Sequence, residues 1–417
     1  MIRFFSIGQN MREWVGSIPP RAYQAWKWDF ASGTLFGLYS GCIWTFVPKI
    51  ARENLHATSM EMSWIMSAPA LGFVFALLWA QQMDGKSKLP FCYVAWLISR
   101  GMFLLIPFVD SHISYTVFVC LSPFIGSISA PAYTAVMKDV YPDALRGRMM
   151  SYVRVAVSIS TLLSSFVAGR LMDAWLDWHV IFFIGGIFGS LTAYTFMHMP
   201  VVSSLGDEGG SSSPKEFLLD TVRILRRNPG FRWFTASVFI YGFGNLMAGT
   251  LYPLFQVDRL HVTNTQVANL QNITSFMTMI GYVFWGWYMD NKGPLAAVLL
   301  AISIICLQPL CYIFAQNINW LYLGAMAAGM AMSGTDVGYL NTILLFSEPG
   351  KEAQYQSIHS SAFGIRGSLA PHFAIPALQF SGYRRAFTLF LGVMLGGVGL
   401  QIVSMRDYLK SKSTKSD

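Results

Sequence analysis

Five ionisable side chains fall inside long apolar stretches of this 417-residue chain: Asp29, Arg100, Arg154, Asp336 and Arg366. A charge at the centre of a bilayer costs about 2.5 kcal/mol or more, so each such residue is a site candidate. Asp336 and Arg366 each lie about ten residues from the end of their own stretch, which at about 1.5 Å per residue places both about 15 Å deep, near the bilayer centre. Opposite charges at one depth on consecutive helices are expected to face each other or a shared aqueous cavity. A carboxylate beside an arginine changes its proton affinity when a solute takes the arginine away. Asp336 is therefore the expected coupling group, with Asp29 as the second. Three arginines against one mid-membrane aspartate favour an anionic or carboxylate-bearing solute.

Uncharged polar groups in a membrane must find partners or line water. Tyr241 and Asn245 in the stretch 231–255, Gln271 and Asn272 in 264–289, Tyr339 and Asn341 in 319–346, and His359 and His372 in 356–380 sketch a cavity in the second half of the chain. Arg366, Arg154, Tyr339, Asn341, Asn272, Gln271 and Asn245 form the expected substrate-binding set. Pro371 and Pro376 would loosen their helix where a gate might bend.

The elements that must hold these residues follow from composition. The chain is 54% hydrophobic and only 12% charged, with a mean hydropathy of +0.45, against roughly 25% charged residues in soluble domains. Twelve apolar runs are expected to cross a membrane: 29–50, 60–82, 89–109, 113–138, 148–171, 179–198, 231–255, 264–289, 294–315, 319–346, 356–380 and 383–405. They are too long and too uniformly apolar for barrel strands, so helices follow. The five cysteines lie inside these runs and behave as small apolar groups. Neither a metal site nor a cofactor is indicated. No cleavable signal is expected, since Pro19 and Pro20 interrupt a charged N-terminal segment.

The net charge of +8 reads as topology rather than nucleic-acid binding. With the N-terminus inside, most of the 29 basic residues fall on the inner side, which predicts cytoplasmic termini and a multi-pass protein of the cell membrane.

The second half repeats the layout of the first about 206 residues on. Leu55-His-Ala-Thr58 returns as Leu260-His-Val-Thr263, Pro48 as Pro253, and Asp84 as Asp290, with Pro142 opposite Pro349. Such a duplication is the usual build of a two-bundle transporter. The expected domains are an N-terminal segment 1–28, a six-helix bundle 29–198, a cytoplasmic linker 199–230 rich in Gly and Ser, a second bundle 231–405 and a tail 406–417. Gly185/Gly189 and Gly392/Gly396 are spaced for close helix packing.

These residues resemble the major facilitator superfamily, which carries G-x-x-x-D-[RK]-x-G-[RK] after its second helix and a weaker copy after its eighth. Here Asp84, Lys86 and Lys88 match the first copy, with Ala80 and Ser87 replacing glycines, and Gly286, Asp290, Lys292 and Gly293 match the second. Tyr141 to Met149 resembles the family's Pro-x-x-x-Arg-Gly turn, with Arg146 and Arg148 at the cytoplasmic edge. The resemblance implies an all-α membrane fold of twelve helices in two pseudo-symmetric bundles, and a gating role for Asp84, Lys86, Gly286, Asp290, Gly293, Arg146 and Arg148, whose carboxylates cap or pair at neighbouring helix ends. It also places the helix of Arg100 at the periphery, where a structural partner is expected. The glycine-proline run of proton-driven drug antiporters is missing from the fifth helix.

The expectation is a secondary active transporter, a monomer in the bilayer, moving a small organic solute by alternating access with H+ as coupling ion. No phosphate-binding loop and no catalytic constellation appears, so an enzyme or a nucleotide-driven pump is not expected. A lipid flippase of the same fold and a non-transporting membrane sensor are the alternatives.

Overall fold

The computed structural model describes residues 16, 18–75, 79, 82, 83, 86–201, 214–348 and 352–413. Asp84 and Ala80, from the first repeated turn, lie outside the described residues. Among those described, the chain is helical without strands. The first six spans are α1 (Pro20–Ile43, resumed over Val47–Glu53), α2 (Ser59–Val74), α3 (Leu89–Gly101, tightened into a 3-10 turn over Met102–Phe108), α4 (His112–Gly126 and Ser129–Val140), α5 (Asp143–Ala174) and α6 (Trp178–Phe196). A linker helix, Pro214–Arg227, leads to α7 (Pro229–Asp258), α8 (Asn264–Lys292), α9 (Pro294–Ile305 and Leu307–Phe314) and α10 (Ile318–Phe346). The helical stretch Glu352–Ser413 is broken at Gly382, whose φ of 73° suits a residue without a Cβ. It therefore forms α11 (352–381) and α12 (383–413).

Local signals explain the boundaries. α1 begins well before the expected residue 29 because Pro20 occupies its first turn, where the missing N–H costs nothing. α2 and α8 both open on capping boxes. Thr58 accepts from the Glu61 amide while Glu61 accepts from the Thr58 amide, and Thr263 and Gln266 repeat the exchange. In each copy the turn before the box is made by a histidine at positive φ, His56 at 53° and His261 at 48°. The sequence duplication is thus also a duplication of backbone geometry.

Eight helical stretches are both long and apolar enough to cross a membrane. α8 and α10, at 29 residues each, are long enough but more polar, because they carry the site's Asn, Gln, Tyr and Asp side chains. α1 packs against α5 and α6, and α7 against α11 and α12. Gly185 and Gly189 do meet α1, at Ile43 and Tyr39, but Gly392 and Gly396 have nothing within 4 Å of an added Cβ. The second pair is therefore no packing site.

The two groups of six meet along α2–α11 and α5–α8. On the face away from the chain ends this seam is closed. Arg52 makes a bidentate pair with Asp258, Nε to Oδ1 at 2.9 Å and Nη2 to Oδ2 at 3.0 Å, and the Tyr383 hydroxyl donates to the same carboxylate at 2.8 Å. Asp173 of α5 accepts from the first amides of α8, Asn264 at 2.9 Å and Thr265 at 2.7 Å, where a helix N-terminus favours an anion. Deeper down, Ser165 donates to Asn272 at 2.8 Å, and His372 shares a 3.0 Å hydrogen bond with Ser63. Toward the face that carries the chain ends, the last ring contact between the two groups is Phe73 with Phe363, centroids 5.8 Å apart, and past it no hydrogen bond, ion pair or ring contact joins them among the described residues. Among those residues the contacts between the two groups thus close the far face and leave the termini side open.

The Arg52–Asp258 pair should hold that state. Charge-assisted bidentate bonds that are partly exposed stabilise by about 1–2 kcal/mol, a factor of roughly 5–30 in population. Asp258→Asn is expected to raise, by about that factor, the rate at which a cysteine at Leu246 reacts with a reagent added from the far side. An unchanged rate would show that the pair does not hold the seam.

Candidate functional site

The expected site residues separate into three places. The first faces the open side. Asp336 on α10 is exposed and accepts from the Tyr282 hydroxyl of α8 at 2.8 Å. Arg154 of α5 is also exposed, and its charge acts on both Tyr282 and Tyr133 of α4. It makes no ion pair among the described residues. One cation from the first group of helices and one anion from the second thus lie near the same tyrosine, the anion hydrogen-bonded to it. Beyond Tyr133, Asp29 is 3% exposed and accepts from the Tyr141 hydroxyl at 2.7 Å, with no basic side chain paired to it among the described residues.

The second place is closed. Arg366 is 5% exposed, donates to the Val238 carbonyl of α7 and lies beside the Tyr339 hydroxyl of α10. Its guanidinium lies 5.3 Å from the centre of the Phe363 ring and directly over Gly242, where an added Cβ would collide with it. His359 packs its ring 5.0 Å from that of Tyr339. The Arg366 Nε has no partner.

The expected Asp336–Arg366 ion pair is therefore absent in this state. Depth was estimated from position along the chain, but helical phase decides which neighbour a side chain meets. Tyr339, three residues after Asp336, is turned by about 60°, and that angle sends Tyr339 toward α11 and Asp336 toward α8.

The third place is a recess of about 200 Å³ lined by Met66, Asn245, Leu246, Gly249, Thr250, Tyr252, Gln308 and Pro371. The other predicted residues are dispersed. Asn272 belongs to the α5–α8 seam, bonded to Ser165 and to the Leu162 carbonyl, where it also lines a groove shared with α10. Gln271 donates to Ser275 at 3.3 Å. Asn341 turns back onto the Val337 carbonyl at 2.8 Å.

Of the expected gating residues, Lys86 and Asp290 are exposed, and Asp290 makes no ion pair among the described residues. Gly286 has open space around it, and Gly293 ends α8 at a φ of 81°. The pairing expected of Asp290 is thus not made among the described residues. Arg146 holds its own turn through the Lys138 and Tyr141 carbonyls, both at 3.2 Å, and Arg148 is exposed beside it. Arg100 finds an aromatic box rather than an acid. Its guanidinium is 4.3 Å from the Trp96 ring centre and 4.6 Å from that of Phe36.

Tyr282, Tyr133 and Tyr141 are contributors that reading for charge passes over. A tyrosine in an apolar helix gives no signal of its own, and only its hydroxyl's partner marks it.

A duplicated set of six helices, closed across one face and open to the other, with charged groups of both halves at mid-depth, defines a two-bundle membrane carrier. The chain belongs to the major facilitator superfamily, whose family model matches residues 30–371 and again 237–412. Among solved structures, a mutant form of the nucleoside transporter NupG superposes with a TM-score of 0.75 at 12% identity, covering 92% of this chain and 99% of that one. An inward-facing, unoccupied bacterial homologue of the human lysosomal transporter Spinster gives a TM-score of 0.65 at 14% identity, covering 94% and 99%. At these identities the likeness is one of fold. No match was found among curated protein sequences.

Proposed function

We propose that this chain is a proton-coupled secondary transporter that carries a small organic anion, with a carboxylate as the recognised group, by rocking its two bundles about the central site. The observation that carries the reading is Arg154, a cation without an acidic partner among the described residues, facing the open side beside the Tyr282–Asp336 pair. Arg154 receives the carboxylate. Arg366, already satisfied on two sides, holds α7, α10 and α11 around the site, and Asn245, Gln271, Asn341 and Tyr339 supply hydrogen bonds as the cavity changes shape. Asp336 is the coupling group, with Asp29 the buried second. The repeated turns of Asp84 and Asp290 close the termini side in the opposite state, with Lys86, Arg146 and Arg148 at the same edge.

Proteoliposomes with an imposed pH gradient test this, using pyruvate, citrate and glucuronate as anions and uridine as a neutral control. Uptake of an anion that rises with the gradient and falls at least tenfold in Arg154→Gln is the expected result. Uptake of uridine alone, or an Arg154→Gln protein that performs as the parent does, would overturn the anion reading.

A groove of about 550 Å³ at the α5–α8–α10 seam, lined by Asn269, Asn272, Phe276 and Met326 among others, favours the second reading, an amphiphile exporter. Phe276 and Met326 are exposed there.

Orientation follows from the basic residues, with both termini in the cytoplasm of a cell whose surface membrane holds the protein. After replacement of the five native cysteines, a cysteine at Ser87 should be labelled only once cells are opened, and one at Asn317 in intact cells. Labelling of both from one side would overturn the orientation.

A further inference from the structure

The recess on α7 holds hydrogen-bonding groups that the protein itself does not use. The Tyr252 hydroxyl is buried without a partner, and the side-chain amides of Asn245 and Gln308 make no hydrogen bond among the described residues. Thr250 alone is satisfied, donating to the Leu246 carbonyl at 2.8 Å. Buried polar groups are ordinarily paired, and leaving them open costs free energy. Three unpaired polar side chains, one of them buried, line one concavity, which is the mark of a ligand site. No Asp, Glu, Lys, Arg or His lines the recess, so it has nothing to neutralise a charge.

We propose that this recess binds an uncharged ring that carries both hydrogen-bond donors and acceptors, a polyol or a cyclic amide, as the neutral part of the transported solute. The inference rests on the transporter reading of the chain but not on the charge of the solute. The amides of Asn245 and Gln308 each offer a donor and an acceptor, and the Tyr252 hydroxyl offers one of either. A volume of about 200 Å³ is that of six or seven waters at about 30 Å³ each. That suits one small ring. Asn245 lies about 24 Å along α7 from its start, whereas Arg154 lies about 16 Å along α5, so the neutral group is met deeper than Arg154.

Met66 gives the recess a further property. It belongs to α2 of the first bundle, whereas the other seven lining residues come from α7, α9 and α11 of the second. The recess is complete only while the α2–α11 seam is closed, so a ring bound there favours the state open toward the termini.

Gly249 provides the test, because it lines the recess and nothing lies within 4 Å of a Cβ placed on it. In a full-length protein freed of its native cysteines, Gly249→Cys is treated with a small methanethiosulfonate reagent in the presence of glucose, uracil or pyruvate. The expected result is at least tenfold slower modification with glucose or uracil and no protection by pyruvate. Asn245→Ala combined with Gln308→Ala should remove that protection while the melting temperature stays near that of the parent. Protection by pyruvate alone, or by none of the three, overturns the proposal, as does protection that survives the double substitution. A separate arm follows transport of the protecting solute in proteoliposomes. Protection without any transport would refute the transporter reading and leave the site standing. Transport that is unimpaired in Gly249→Leu, which fills the recess, would refute the site and leave the transporter.

Discussion

Asp336→Asn should leave a folded protein that exchanges solute across the membrane but no longer concentrates it. A one-unit pH gradient supplies about 1.4 kcal/mol per proton, enough for roughly tenfold accumulation of a solute carried with one proton. The expected ratio of inside to outside solute is therefore about ten in the parent and about one in the variant, measured in proteoliposomes after equilibration. Tyr282→Phe, which removes the hydroxyl bonded to Asp336, should change the pH at which uptake is half-maximal while coupling persists. Accumulation that persists in Asp336→Asn and disappears in Asp29→Asn would transfer the coupling role to the buried carboxylate behind Tyr141.

Gly242→Val should be among the most damaging single substitutions in the second bundle. The Arg366 guanidinium occupies the space above that glycine, and its hydrogen bond to the Val238 carbonyl depends on lying there. Displacing it strands a charge in a low-dielectric site, which costs about 3–5 kcal/mol. The variant should melt far below the parent in detergent, and Gly242→Ala should fall between them. The combination Gly242→Ala with Arg366→Gln should recover part of the loss, since the smaller, uncharged side chain can retreat. A Gly242→Val protein that melts like its parent would show that Arg366 is free to move aside.

The fold was legible because its signals are long and repeated. Twelve apolar runs, one duplicated Leu-His-x-Thr turn and two Asp-centred turns suffice to specify two six-helix halves, and the structure adds the reason that turn is duplicated, a capping box preceded by a histidine at positive φ. The site was legible only in part. Depth can be counted along a helix, so Asp336 and Arg366 were found near the middle of the membrane. Helical phase relative to neighbours cannot be counted without knowing which helices adjoin, and so Asp336 and Arg366 were matched to each other rather than to Tyr282 and Tyr339. Asn272 was read without its first-bundle partner for a related reason. Any amide inside a span looks like a cavity residue until the helix it faces is known, and here that helix is α5. The recess joins Met66 to Gln308 across 242 positions of sequence, and no local pattern announces it.

The Arg52–Asp258 pair joins equivalent positions of the two repeats, 206 residues apart. The next residues are equivalent too, Glu53 and Arg259, so the dipeptide Arg-Glu in one copy corresponds to Asp-Arg in the other with both signs reversed. Two copies of the first half brought together in the same way would set arginine against arginine, and two copies of the second would set aspartate against aspartate. Only the mixed pairing is attractive. The duplicated halves have become complementary at this edge, so that a chain cut in its linker and expressed as two pieces carries, in the Arg52–Asp258 pair, an instruction for each piece to choose the other over itself.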